Sequence, residues 1–272
     1  TRTLRQLRVI IDEAQRMRVE QPVEGRALEV TTIRSSSGTV ALNRSVTAWI
    51  GQTLLFVLTI LLAGMLLSQL IEEKSNKVIE VLAAAVPVDA IFLGKLFAML
   101  GMSLVGITVW AAAGAAAIAI WTEGGLGGMP APAVGWTAFL ALVLVYFSMS
   151  YLLIGATFLG IGAQASTVRE VQTLSMPVTM AQVVLFGFAS LGVGKPMSAE
   201  AIGGAVFPLS SPFAMIGRAA EQSALWPHAL ALVWQAIWVA LILKLAAAIF
   251  RRSVLKSGPS RGWPWQRRKQ SV

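Results

Sequence analysis

The chain has 272 residues, 56% of them hydrophobic and 13% charged, and a mean hydropathy of +0.71. Soluble domains carry about a quarter charged residues, so this composition excludes an ordinary soluble enzyme and points to a membrane protein. The net charge is +9, and the absence of cysteine removes disulfides, thiolate metal sites and cysteine nucleophiles.

The first 46 residues contain no signal-like apolar run. An amphipathic stretch (Leu4, Leu7, Ile10, Ile11, Ala14, Met17) precedes a strand-like segment at 27–33, and five acids partly balance eight arginines. The chain starts on Thr1 rather than Met. The expectation is a piece of a longer protein, with 1–46 the remnant of a folded extracytoplasmic domain.

Five apolar stretches then reach the roughly 20 residues that a helix needs to cross a bilayer. They are 47–70, 94–121, 135–161, 173–193 and 226–250. Trp49, Trp110, Trp121, Trp136 and Trp226 fall mostly near their ends, as interfacial aromatics do. The predicted fold class is all-α, a polytopic transmembrane helical protein whose membrane domain covers 47–250.

Between the first two stretches lies the charged amphipathic segment 71–87. Read as a helix, it puts Ile71, Ser75, Val78, Leu82 and Ala85 on one face and Glu73, Asn76, Lys77 and Glu80 on the other. Glu73 precedes Lys77 by one helical turn, the favourable order for an ion pair. Pro87 cannot donate the next backbone bond and is expected to end the element. Such a helix lies flat at a membrane surface with its polar face to water. The plainer alternative is a connector whose charges keep the loop out of lipid.

Further along, the glycine-rich loop 123–132 reads as a flexible turn, without the basic or hydroxyl partner of a phosphate cradle. A short helix is expected over 198–206, and 207–213 is a proline-braced turn before an element at 214–220. The tail 251–272 is basic. The 71–93 connector with Lys95, the 163–172 loop and the tail hold 11 basic residues, against Lys195 and Arg218 alone in the opposite loops. That asymmetry places the connector and the carboxyl terminus in the cytoplasm and 1–46 outside, in the cell (plasma or inner) membrane. The basic residues thus serve orientation and lipid phosphates, and with no aromatic interleaving they call for no nucleic acid partner.

Glu72, Glu73 and Glu80 lack a neighbouring nucleophile or metal ligand, so acid–base catalysis is not expected of them. His228, close to Trp226, reads as an interfacial ring, and Ser190 has no placed partner for nucleophilic chemistry. Lys244, an ionisable group inside a span, is a candidate for a pathway or helix contact, and it is also close enough to the end of its span to snorkel. Gln182 and Gln235 lie deeper, where they line a pathway or bond between helices. Pro177 can kink the fourth span. No G-x-x-x-x-G-K-[S/T] occurs, since Gly94-Lys95 and Gly194-Lys195 lack the upstream glycine and the hydroxyl.

The run Glu-Glu-Lys-Ser-Asn-Lys-Val-Ile-Glu-Val-Leu at 72–82, followed by Pro87 and by Gly94-Lys95, resembles the ABC-type-2 export permeases. The nearest branch is the one containing sodium-extrusion permeases, and the resemblance spans about 45–256. It implies a cytoplasmic coupling helix at 71–87 and a second cytoplasmic contact between spans four and five of the six-span family, here the 163–172 loop. It also implies a proline-containing outer loop, here 207–213, and a last span ending in basic residues, here Arg251 and Arg252. Full-length members of the branch have six spans, with a large outer domain after the first.

The resemblance further implies a permease subunit that pairs as a homodimer or heterodimer and is driven by a separate ATPase subunit. That partner would bind ATP and magnesium, leaving this chain without a cofactor of its own. Residues implied to meet it are Glu72, Glu73, Lys74, Lys77, Glu80 and Leu82, with Arg169 and Glu170 at the second contact. The expected function is ATP-driven efflux without enzymatic activity in this chain. The cargo stays open among a sodium ion, a drug, a peptide and a lipid. The rivals are an ion-coupled secondary transporter, opposed by the lack of Asp or Glu in the five span cores, and an intramembrane enzyme.

Overall fold

A computed structural model of the chain describes residues 6–9, 11–13, 37–75, 85–121, 131–165 and 168–256. Two compact units divide it, Thr1–Thr39 and Val40–Val272. In the first, 6–9 and 11–13 are helical, with Leu7, Val9 and Ile11 exposed. The strand-like segment 27–33 and most of the glycine loop, 123–130, lie outside the described residues.

From Ser37 onward the described residues form the helices α1 Ser37–Ser75, α2 Val88–Trp121, α3 Trp136–Gln164, α4 Val168–Ser190, α5 Ala199–Val206, α6 Ser211–Glu221 and α7 Trp226–Lys256. Five of them, α1 to α4 and α7, are long and apolar enough to cross a membrane, so the all-α polytopic fold stands. Lipid offers backbone groups no partner, so a spanning segment must satisfy its own hydrogen bonds, and the helix does so. Hydroxyls inside the spans follow the same rule: Thr59 donates to the Leu55 carbonyl (2.7 Å), Ser103 to Met99 (2.8 Å) and Thr157 to Leu153 (2.8 Å).

The helices outrun the apolar windows. α1 starts upstream of position 47 and continues past Leu70 through Ile71, Glu72 and Glu73. α2 starts at Val88, ahead of Gly94, because the Pro87 carbonyl accepts from Ala90 (2.9 Å) and Ile91 (3.2 Å). Pro87 therefore opens a helix, a position where its missing N–H costs nothing. α4 runs through Pro177 without interruption.

α3 is the central helix. Half of its most apolar window is buried, against a third or less for the other spans. Since lipid is as apolar as a leucine side chain, packing in the bundle depends on close approach rather than on escape from water. Glycine supplies the approach along α3. A methyl at Gly155 would meet Leu96 at 2.9 Å and Leu66 at 3.1 Å, and one at Gly160 would touch Ala246 at 3.4 Å. Phe56 of α1 stacks on Phe186 of α4 (4.4 Å) and meets Phe213 of α6 edge-on (5.8 Å), joining three elements.

Between α4 and α7 the chain folds into two short helices. The Ser198 hydroxyl caps α5 by accepting from the Ala201 N–H (3.2 Å). The Glu200 carboxyl is held below its ordinary pKa, first by its own backbone N–H and then by the Ser198 hydroxyl. In α6, Ser211 to Gly217, Ala219 and Ala220 are buried, so this segment is sunk into the bundle rather than laid on it.

Candidate functional site

The last turn of α1, the first turns of α2 and the end of α7 meet at one end of the bundle. An ion pair ties the first two: Glu73 Oε2 lies 2.6 Å from Lys95 Nζ, with the lysine side chain 12% exposed and the glutamate 38%. The pair bridges the last turns of α1 and the second turn of α2. A second pair joins Asp89 to Arg251 at 2.9 Å and fastens the first turn of α2 to α7. Asp89 also lies in the N-terminal turn of its helix, where a carboxylate meets the positive end of the macrodipole.

Of the residues proposed to meet a partner, Glu72 is exposed on α1 beside Glu73. Lys74 continues the helix, and Lys77, Glu80 and Leu82 lie outside the described residues. Glu73 pairs across to Lys95 of α2, and the Glu73–Lys77 pair expected from spacing lies outside the described residues. Arg169 and Glu170 sit exposed in the first turn of α4, and the Arg169 carbonyl accepts from Thr173 Oγ1 (3.0 Å). The sequence reading missed the Asp89–Arg251 pair. Its signal was present: opposite charges immediately flanking two spans whose ends share one side.

The other end is tied by Glu221 at the close of α6. Its Oε1 accepts from Ser45 Oγ of α1 (2.9 Å) and from the Gly194 N–H (2.7 Å) in the turn after α4. Gly194 has φ +79°, a left-handed conformation open to glycine. Next to this tie, Ala133 N–H donates to the Ala220 carbonyl (2.8 Å) and Val134 N–H to Ala219 (3.3 Å). A shallow pocket here is lined by Gln52, Gly192, Pro196, Gly217, Arg218 and Glu221, among others.

Within the bundle, His228 of α7 is 2% exposed and its Nδ1 lies 3.1 Å from the Tyr146 hydroxyl of α3. The reading of His228 as an interfacial ring is therefore corrected. The close α3–α7 packing encloses the imidazole although it is only two residues from Trp226. Gln182 and Gln235 are buried, at 2% and 0% exposure, in α4 and α7. Lys244 is exposed on α7. Ser190 bonds back to the Phe186 carbonyl (2.9 Å), which occupies its hydroxyl proton. Among the described residues no three acidic or histidine side chains converge in a metal-binding group.

The geometry is thus that of a lipid-embedded bundle with charged contacts at one end and a sunken helix pair at the other. An uncharacterized protein of Methanocaldococcus jannaschii is 27% identical over 167 residues, covering 61% of this chain and 39% of that protein. The uncharacterized protein YhaP of Bacillus subtilis is 25% identical over 218 residues, covering 76% of this chain and 51% of YhaP. The matched part of the chain thus spans about half or less of the length of these curated relatives. No solved structure matches it. Residues 10–248 match the family described as ABC-2 family transporter protein, and the chain belongs to that family.

Proposed function

We propose that this chain is the membrane-spanning permease subunit of an ATP-binding-cassette exporter, coupling ATP hydrolysis in a separate ATPase subunit to efflux. The observation that carries the reading is the family match across 10–248, and with it the family's role as a transport component. The exposure of Glu72 near the end of α1 and of Arg169 and Glu170 in the first turn of α4 supports it. A soluble partner pressing on that end would meet helices already cross-braced by Glu73–Lys95 and Asp89–Arg251. The partner would hold ATP and magnesium. This end, with the carboxyl terminus, would face the cytoplasm, and a second permease copy or a sister subunit would complete the assembly.

Purification from native membranes tests the reading: an ATPase subunit should co-elute, and Glu80→Lys should weaken that association while leaving membrane insertion intact. Reconstituted alone in liposomes, the chain should neither hydrolyse ATP nor accumulate solute under an imposed ion gradient. Gradient-driven uptake by the chain alone would replace the exporter with a secondary transporter.

A further inference from the structure

α3 and α7 form the most extensive helix pair of the bundle. Both run in the same direction, with Tyr146 against His228 near one end and Gly160 against Ala246 near the other. On a helix, residues three, four or seven apart share a face. Tyr146, Ser150, Leu153 and Gly160 therefore line the α7-facing side of α3, while His228, Gln235, Val239 and Ala246 line the facing side of α7. The middle of this seam contains groups that the protein leaves unanswered. Ser150 Oγ, His228 Nε2 and both amide atoms of Gln235 are buried with no hydrogen-bond partner among the described residues. These residues are 1%, 2% and 0% exposed.

Hydroxyls such as those of Thr59, Ser103 and Thr157 bond back to their own helices. Gln52 Oε1, Gln182 Nε2 and Trp238 Nε1 are also buried without a partner among the described residues, but the α3–α7 seam sets three such residues on facing sides of one helix pair. A primary amide has four hydrogen-bonding sites, and in hydrocarbon nothing but protein or water can fill them. Buried polar groups without protein partners are where structural water resides. Three such residues, on facing sides of one helix pair and spread over about two turns, make a track rather than a single defect.

We propose that the α3–α7 seam is a water-occupied polar track within the single subunit, reaching from the Tyr146–His228 pair to the level of Gln235. It gives hydrated groups access to the middle of the bundle without requiring the surface where two permeases would meet. The proposal is independent of the exporter reading, because hydration of the seam requires neither an ATPase nor a cargo.

The natural absence of cysteine makes the test direct. Ser150→Cys and Gln235→Cys are introduced singly into the full chain, in sealed vesicles of either orientation, and treated with a small, charged, membrane-impermeant methanethiosulfonate. Leu152→Cys is the dry reference: Leu152 is 8% exposed and two residues from Ser150 in depth, but three before Gly155, whose face meets Leu66 of α1 and Leu96 of α2. Ser223→Cys, in the exposed α6–α7 connection, is the wet one. Thiol reaction requires thiolate, which forms where water reaches, so both seam cysteines should react at least about tenfold faster than Leu152→Cys. If both react no faster than Leu152→Cys, the seam is dry and the proposal fails. Ser150→Cys is nearly isosteric, so it carries the test should Gln235→Cys fail to fold.

Discussion

Glu73 and Lys95 stand 22 positions apart in sequence, yet their charged groups are 2.6 Å apart, closing the connector that leads from α1 to α2. Because the lysine is nearly buried and the glutamate more exposed, the two sides of the pair should respond unequally to mutation. Glu73→Gln leaves an ammonium enclosed without its counter-charge and should cost about 1–2 kcal/mol, discounted from a fully buried pair for solvent screening. Lys95→Met leaves a carboxylate that can turn to water and should cost less. Adding Lys95→Met to Glu73→Gln should recover part of the loss. Thermal unfolding of the four proteins in one detergent checks this, and equal losses from both single variants would contradict it.

Gly192 sets the spacing between the turn after α4 and α5. A methyl there would lie 2.8 Å from both Cα and Cβ of Ala201, and backbone cannot swing aside. Gly192→Ala should destabilise by about 1–3 kcal/mol, as overpacking does. Gly160→Ala places its methyl at an ordinary 3.4 Å from Ala246 and should be tolerated. Comparing the melting temperatures of the two alanine variants separates a steric limit from a general need for glycine.

Glu221 satisfies Ser45 and the Gly194 amide through one oxygen. Glu221→Gln keeps a carbonyl oxygen that can accept both bonds, whereas Glu221→Ala removes the acceptor. The alanine variant should lose about 1–3 kcal/mol, with faster hydrogen exchange at the Gly194 amide. The glutamine variant should retain most of the protection. Unchanged exchange at Gly194 in the alanine variant would mean that the bond does not hold the turn.

The charge asymmetry of the loops makes a topological prediction. A reporter fused after Val272 should be active only in the cytoplasm, and cysteines at Ser36, Gly128 or Ser223 should react with an impermeant reagent from outside. Labelling of Ser223→Cys from the carboxyl-terminal side would invert the proposed orientation.

The spanning helices were legible because about 20 apolar residues in lipid have few other stable conformations. The short helix at 198–206 was legible from Ser198 and the prolines that follow. Helix ends were less so: residues 71–75 are polar enough to look like a separate element, but hydrogen bonding carries α1 through them. Pro87 carried a stop signal that serves equally as a start. The partner of Glu73 was hidden because helical spacing reveals neighbours within one helix and not those brought in by a turn. His228 misled for a similar reason, since proximity to Trp226 in sequence says nothing of what α3 places over it. The two ties at Glu221 depend on the fold of α6 into the bundle, which no local pattern encodes.

Ser45, held by Glu221, and Glu73, held by Lys95, lie on the same continuous helix. The 28 residue steps from one to the other span about 42 Å at the usual rise, more than the hydrocarbon thickness. With no break in the helix to absorb motion, α1 is a stiff rod clamped at both extremities. A load on the charged end is relieved either by breaking the Glu73–Lys95 clamp or by swinging the rod about Ser45 as a pivot. In the second case a tilt of a few degrees displaces the charged end by several ångströms while the pivot scarcely moves. Were a partner to press on the charged end, the strength of the two clamps relative to one another would decide which end of α1 travels.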